Sequence, residues 1–351
     1  MTNINVLLQL FEQLTDRQNQ QFLRSLSKES STTLSVTIES KEQYLQTIRY
    51  RKIQKCPHCK GTHIVKNGHS KEGQRYLCRN CNRTFCIAIK SLTAYSKYDI
   101  KVWRKYIHCM MNKLSLRASA RECGISVKTA FDWRHKILDA LQKMAKQVKL
   151  DGIVEADETF FRLSFKGNHM KSGFKVPKKE KVIGVNGNKV AKRGLSRDQV
   201  CVPCAVTSKG LSVSKISNLG KPTLQDLRNV LSNRISENSV LVTDRNYSYR
   251  IFSELENLEL VQVLSHKRKN GSFGIQHINN YHSQLKYFMK PFRGVATKYL
   301  NNYLVWNNLV NYAEGSFEHK EQVFCDFVNK VWTRTKTKTL SKRNPVPVLR
   351  S

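Results

Sequence analysis

The sequence predicts an α/β protein in which a mixed-sheet domain follows two smaller modules, one stapled by cysteines and one helical. Three observations predict this. Two Cys-x-x-Cys pairs, Cys56/Cys59 and Cys78/Cys81, lie among short strands and turns, and helical periodicity then runs from Lys97 to about Lys149. Beyond Asp151, apolar strand-like runs alternate with helical ones.

Composition bounds the function. A chain of 351 residues with 40% hydrophobic content has room for two or three domains and at least one buried core. Its 61 Lys and Arg against 26 Asp and Glu leave a net charge of +35, a surplus that calls for a polyanionic partner held by salt-sensitive phosphate contacts. No apolar stretch approaches the roughly 18 to 20 residues of a membrane span, and no signal peptide opens the chain, so a cytoplasmic, nucleoid-associated protein is expected. An anionic membrane is the rival partner, but no basic amphipathic helix or lipidation motif supports it. DNA is the expected partner.

Residues 1–48 contain helical segments such as Val6 to Phe11 between polar stretches, and read as a helical or partly disordered extension. Residues 49–92 hold the cysteine pairs, with 18 residues between Cys59 and Cys78. Two thiolate pairs at that spacing fit one tetrahedral Zn²⁺, and four sulfurs leave no open position, so the metal is structural. Lys52, Lys55, Lys60, Lys66, Lys71, Arg75, Arg79 and Arg83 surround the pairs, which suits a DNA-contacting zinc ribbon; a metal-stapled spacer is the alternative. The remaining cysteines, including Cys109, Cys123, Cys201, Cys204 and Cys325, read as small core or turn residues.

Residues 97–149 read as a helix-turn-helix between Ser115 and Ile137. Gly124 supplies the turn, Ser126 caps the second helix, and Ala120 lets the helices approach. Ala130, Trp133, Ile137 and Leu141 form one apolar stripe, leaving Lys128, Thr129, Asp132, Arg134, His135 and Lys136 outward. A polar, basic outer face is what a recognition helix needs in a major groove, so Lys128, Thr129, Arg134 and Lys136 are the candidate DNA contacts. An ordinary helical hairpin is the alternative.

Residues 151–315 show strands near 152–161, 200–207, 211–216, 239–243 and 260–264, with helices at 224–235 and 249–258. A stretch rich in Lys, Gly and Asn at 166–198 interrupts them and reads as a long basic loop. Residues 316–351 read as a basic tail, disordered from Thr333 onward.

Within this domain Asp157 closes the run Val154-Glu155-Ala156, and Asp244 closes Val240-Leu241-Val242-Thr243. Carboxylates brought together at strand ends supply oxygen ligands for a pair of divalent cations that act on a phosphodiester. Glu155 shares the strand face of Asp157 and could assist it, a solvated strand end being the simpler reading, while Glu158 points to the other face. His282 and Lys286 are one helical turn apart, with Asn279 three residues before. A neutral imidazole can ligate metal or position water, and a Lys can hold phosphate.

Together with Phe292-Arg293-Gly294-Val295-Ala296-Thr297-Lys298-Tyr299-Leu300, these motifs resemble bacterial insertion-sequence transposases of the ISXO2-like (IS1595) group across about residues 50–312. The resemblance implies an RNase H-like catalytic domain of the DDE superfamily, with Mg²⁺ or Mn²⁺ as cofactor. It implies cleavage at transposon ends and attack of the freed 3′-hydroxyl on target DNA, by a homo-oligomer on paired ends. It carries Asp157 and Asp244 onto the first two metal ligands. Where many relatives have Glu, Asn279 is followed here by His282, so either could be the third ligand, with His282 favoured; Lys286 and Lys290 compete for the lysine role. A DNA-binding regulator with an inert domain, and a nuclease without strand transfer, are the two other functions the sequence admits.

Overall fold

The computed structural model describes residues 55–345 apart from 71–72, 87–91, 94–95, 147, 169–173, 184, 193, 265–268, 312–315 and 332–334. The expected extension at 1–48, with Lys52 and Lys71, lies outside the described residues.

Strands β1 (Ile64–Ser70), β2 (Gly73–Cys78) and β3 (Thr84–Cys86) form an antiparallel sheet in that order. Its core is Cys56, Tyr76, Cys78 and Phe85, the two rings stacked with centroids 5.8 Å apart. Two rings and two thiols bury little surface for a module of this size, where a metal held by the cysteines could contribute folding free energy.

Helices α1 (Ile100–Met111), α2 (Leu116–Cys123) and α3 (Val127–Ala145) follow. The Ser115 hydroxyl accepts the Ala118 N–H at 3.2 Å to start α2, and Gly124 ends it in the left-handed region at φ 61°, where a side chain would be strained. Ser126 accepts the Thr129 N–H at 3.0 Å and starts α3. The stripe Ala130, Trp133, Ile137 and Leu141 is buried, with Trp133 stacked on Trp103 at 3.7 Å.

The outward face of α3 differs from expectation. Arg134 and His135 are 0% and 1% exposed. A second layer covers them, because the helix at 300–310 also packs against α3. The Arg134 guanidinium donates to the Leu114 carbonyl at 2.8 Å and the Ser119 hydroxyl at 3.1 Å, and lies 4.8 Å from the Trp306 ring centroid. His135 stacks on Tyr299 at 4.2 Å.

The larger domain opens with β4 (Ile153–Arg162). The basic insertion that follows is not a bare loop, for it carries a hairpin of β5 (Lys181–Ile183) and β6 (Lys189–Ala191). Its base is tied by the Asp198 carboxylate, which accepts the Glu180 N–H at 3.1 Å, and by Glu180, which accepts the Arg197 N–H at 2.7 Å. Then come β7 (Gln199–Thr207), β8 (Ser212–Ser214), α4 (Leu224–Leu231), β9 (Val240–Thr243), α5 (Tyr247–Leu255) and β10 (Glu259–Gln262). The two-residue strands β11 (Lys269–Asn270) and β12 (Phe273–Gly274) lead into α6 (Gln276–Met289) and α7 (Leu300–Val310).

The main sheet runs β10-β9-β4-β7-β8. The first three strands in sequence, β4, β7 and β8, pair antiparallel, whereas β9 joins the other side of β4 in parallel and β10 joins β9 in parallel. Helices α4 and α5 cover one face through Leu227, Val230, Leu231, Tyr249 and Phe252. Helices α6 and α7 cover the other through Ile278, Tyr281, Leu285, Leu300 and Leu304. Helix α7 has a second apolar side, where Tyr303 and Trp306 enter the core of α1–α3, so the helical module and the sheet domain are joined through α7.

The C-terminal segment is also more ordered than expected. Helix α8 (Phe317–Lys330) packs Phe324, Phe327 and Val328 into the core of α1–α3. The short α9 (Thr337–Ser341) buries Leu340, and Arg343 beyond it pairs with Asp139 of α3 at 2.5 Å. Residues 346–351 lie outside the described residues.

Candidate active site and metal centre

The cysteine cluster comes together as its spacing predicts. Sγ of Cys56 lies 3.7 Å from that of Cys81, and Sγ of Cys59 lies 3.6 Å from that of Cys78. A tetrahedron with Zn–S bonds of about 2.3 Å has edges of about 3.8 Å, so the four sulfurs stand where one Zn²⁺ would hold them. The His58 N–H points at the Cys56 sulfur at 3.4 Å, the donor a thiolate needs. His58, His63 and His69 are exposed and outside this set. Around it Lys55, Lys60, Lys66, Arg75, Arg79 and Arg83 are exposed.

Asp157 and Asp244 meet through strand register. The parallel ladder of β4 and β9 ends at Ala156 opposite Thr243, so Asp157 and Asp244 are the next residue on each chain. Asp244 does close its strand. Asp157 does not: β4 continues to Arg162 against β7, with Asp157 opposite Cys204, and only the β9 side of the strand falls away. That leaves the Asp157 carboxylate at an open edge on the α6 face. Asp244 is held in an Asx turn, its Oδ1 accepting the Asn246 N–H at 3.0 Å, and its carbonyl accepts Gln262 Nε2 at 3.1 Å.

Electrostatics tie the two together. Burial pushes Asp157 up to about 6, with the Asp244 charge adding to the rise and Lys286 opposing it. Glu158 faces the other side of the sheet, as expected, and is pushed up to about 7 by burial and by Asp157 and Asp244. Such mutual repulsion is what a cation relieves.

Helix α6 presents His282, 9% exposed, with Nδ1 3.8 Å from Asp157 Oδ2. Burial, aided by the Lys286 charge, pushes it down to about 4, so the ring is neutral at pH 7. Its Nε2 is buried without a hydrogen-bond partner. Two carboxylates and an orphaned imidazole nitrogen form a mixed oxygen and nitrogen donor set that fits Mg²⁺ or Mn²⁺. Among the described residues the cysteines are the one group of three or more His, Cys, Asp or Glu with ligand atoms all within 4.8 Å of one another, so the carboxylate set is looser.

Lys286 is exposed one turn beyond His282, and its charge reaches both His282 and Asp157. Lys290 starts a 3-10 turn past the end of α6, and Asn279 is exposed. The structure thus sets His282, not Asn279, against Asp157, and gives Lys286 the closer coupling.

Glu155 overturns its sequence reading as a solvated strand end. It is 4% exposed, and its carboxylate meets the first turn of α6 at His277 and Ile278. The Phe292–Leu300 motif docks beside the far end of β4: Ser164 donates its N–H to the Thr297 hydroxyl and accepts the Thr297 N–H, both at 2.9 Å. Lys298 is 8% exposed and donates to Asn168 at 2.9 Å.

Of the residues expected to contact DNA, Lys128 is exposed but paired with Asp132 at 2.7 Å, Thr129 and Lys136 are half-buried, and Arg134 is buried as described. Sequence reasoning missed a polar groove of about 450 Å³ lined by Arg245, the residue after Asp244, and by Arg250, Glu254, Gln262 and Asn270 among others. Only the adjacency of Arg245 to Asp244 could have signalled it.

Residues 149–306, which contain Asp157, Asp244 and His282, match the family model of the ISXO2-like transposase domain. The chain carries an ISXO2-like transposase domain. A protein from the transposable element ISH50 of Halobacterium salinarum is 24% identical over 264 residues, covering 74% of this chain and 86% of that protein. Among solved structures, the Mos1 mariner paired-end complex with Mn aligns over 93% of this chain and 94% of that one at 9% identity, with a TM-score of 0.24. A Mos1 paired-end complex with the left transposon end aligns at 11% identity over 93% and 94%, with a TM-score of 0.25. Within the transposase domain, the sheet order and the acidic site stand on the geometry above. No helix among the described residues is long and apolar enough to cross a membrane.

Proposed function

We propose that the chain is a DNA transposase of the DDE type, with an RNase H-like catalytic domain, which cuts the ends of its insertion sequence and joins them to target DNA. The observation that carries this reading is that Asp157 and Asp244 each follow the last paired residue of the β4/β9 ladder, beside a neutral His282, inside a domain that matches the transposase family. The sheet, three antiparallel strands with two parallel ones added at the first, is the order an RNase H-like fold requires.

Asp157, Asp244 and His282 would hold Mg²⁺ or Mn²⁺; when bound, the cations supply charge neutralisation at the scissile phosphate and a lowered pKa for the attacking hydroxyl. The chain's own groups do the rest. Lys286 neutralises phosphate charge at the same edge, and the groove lined by Arg245, Arg250, Gln262 and Asn270 takes the strand leaving the site. Hydrolysis of one phosphodiester by water frees a 3′-hydroxyl, which then attacks a phosphate of target DNA, forming a new P–O bond as the target strand's own 3′-oxygen leaves and takes up a proton.

The zinc ribbon and the helix pair α2–α3 bind the terminal repeats, with exposed Lys128 and half-buried Thr129 at the start of α3, half-buried Lys136 further along it, and Arg117 and Arg121 exposed on α2. The surplus of positive charge supplies the sequence-independent part of that affinity. A homo-oligomer acting on paired ends in the bacterial cytoplasm completes the proposal.

The test is a supercoiled plasmid carrying the DNA that borders the gene, incubated with purified protein and Mg²⁺. Asp244→Ala should lower cleavage by at least about 10³-fold while leaving end binding within about twofold, because several kcal/mol of charge stabilisation is lost. Full cleavage by this variant would sink the site assignment. Wild-type cleavage without joined products would leave a nuclease, and binding without cleavage a regulator.

A further inference from the structure

Burying an ionised carboxylate costs several kcal/mol unless its oxygens are paired. Glu155 is buried more deeply than either Asp157 or Asp244, so its partners define what it does. One oxygen accepts the Ile278 N–H at 2.9 Å, and the other lies 2.5 Å from Nδ1 of His277. Both residues belong to the first turn of α6, and Ile275, at its N-cap, offers no side-chain cap. Helices begin with unsatisfied N–H groups and the positive end of the helix dipole, and a carboxylate there satisfies both. Here the capping group comes from the neighbouring strand.

The consequence is geometric. Glu155 and Asp157 share one face of β4, two residues apart, and Ile278 and His282 are four residues apart on α6. The apolar contacts of Ile278, Tyr281 and Leu285 press α6 onto the sheet, but such contacts tolerate sliding and rotation. The Glu155 bonds fix where α6 starts, and hence which of its residues stands opposite Asp157.

We propose that Glu155 is a positioning residue, which docks the start of α6 on β4 so that His282 and Lys286 face Asp157. The proposal rests on the transposase reading of the site. Glu155 touches neither DNA nor metal in this role; it acts through α6.

The experiment compares full-length Glu155→Gln and Glu155→Ala with the wild type and with Asp244→Ala. Gln keeps the shape and one acceptor for Ile278, so it remains informative where Ala fails to fold. Both variants should lower the cleavage rate at saturating DNA by roughly 10- to 100-fold, Ala more than Gln, with end affinity unchanged. Hydrogen exchange should speed up at the amides of the first turn of α6 and not elsewhere, a readout independent of activity. In a His282→Ala background, Glu155→Gln should add less than about threefold, because it acts through the residue already lost.

Wild-type cleavage by folded Glu155→Gln and Glu155→Ala beside an inactive Asp244→Ala would overturn the positioning role alone. A full additive loss in the His282→Ala background would overturn it as well. Wild-type cleavage by Asp244→Ala would instead overturn the functional reading on which the proposal stands.

Discussion

The chain contains two prospective metal centres built on opposite plans. In the ribbon, four sulfurs stand at the corners of a tetrahedron, 3.6 and 3.7 Å apart where the pairs meet, with no position left for anything else. At the sheet edge, burial and the neighbouring Asp244 charge raise the proton affinity of Asp157, His282 keeps a nitrogen without a partner, and the set is looser than the cysteine tetrad. The difference teaches what each metal is for. A closed soft-ligand cage turns metal affinity into folding free energy, whereas an open, self-repelling set leaves coordination positions for substrate phosphate.

The largest effect should follow from opening the closed cage. Cys78→Ser removes one sulfur from a core that otherwise holds Tyr76, Phe85 and Cys56. Structural Zn²⁺ contributes on the order of 10 kcal/mol in small modules, more than this core can replace. The variant should release its zinc, measured by a chromogenic chelator, and lose exchange protection across β1–β3, while the sheet domain keeps its melting transition. Protection retained in β1–β3 without zinc would show that the ribbon stands by burial alone. Terminal-repeat affinity measured on the same sample separates the DNA-contacting ribbon, where it falls, from a spacer, where it holds.

The two centres also differ in how visible they are in sequence. Cys56, Cys59, Cys78 and Cys81 are local, and their spacing specifies the site. Asp157 and Asp244 are 87 residues apart, legible only because each follows an apolar run that reads as a strand. The five strands of the sheet and α4 and α5 were legible for the same reason, periodicity. What was not legible came from long-range partners. Arg134 looked like a DNA contact until Trp306, far along the chain, covered it, and Glu155 looked solvated until α6 supplied its hydrogen bonds. Helix α8 was hidden by the basic residues around it, although Phe324, Phe327 and Val328 make one face. The hairpin β5–β6 was hidden because its strands are three residues each, with β5 exposed throughout.

A middle-sized effect should come from relieving the repulsion in the open site. Asp157 has its proton affinity raised to about 6 in the folded chain against an ordinary 3.8. A carboxyl raised on folding destabilises the native state above that value and stops doing so as pH falls through it toward the ordinary one. The Asp157 contribution should therefore favour the metal-free fold as pH drops from about 7 to about 4, with Glu158 adding in the same direction and His282, held down to about 4, opposing it. Metal binding must run the other way and weaken over that window, since cations compete with the protons. Asp157→Asn should raise metal-free stability at pH 7 by about 2 kcal/mol, flatten that pH slope and abolish cleavage. Denaturant melts at pH 5 and pH 7 check this; an Asn variant no more stable than wild type at pH 7 would mean the carboxylate is already neutralised within the chain.

The smallest effect, and the one that sharpens the contrast most, concerns the third position of the open site. His282 would supply a neutral nitrogen where a third carboxylate would add charge, so the proposed site would hold a divalent cation with two formal negative charges. Affinity in oxygen-rich sites rises with the number of charged ligands. His282→Glu should lower the Mn²⁺ concentration at half-occupancy by roughly 3- to 10-fold, read by electron paramagnetic resonance of free Mn²⁺, and should cost some metal-free stability because a third anion joins the cluster. Asn279→Ala should leave that midpoint unchanged, as Asn279 is exposed on α6 while His282 lies 3.8 Å from Asp157. The opposite pattern, an indifferent His282→Glu and a sensitive Asn279→Ala, would move the third ligand one turn toward the start of α6. It would also require α6 to rotate away from the register that Glu155 holds.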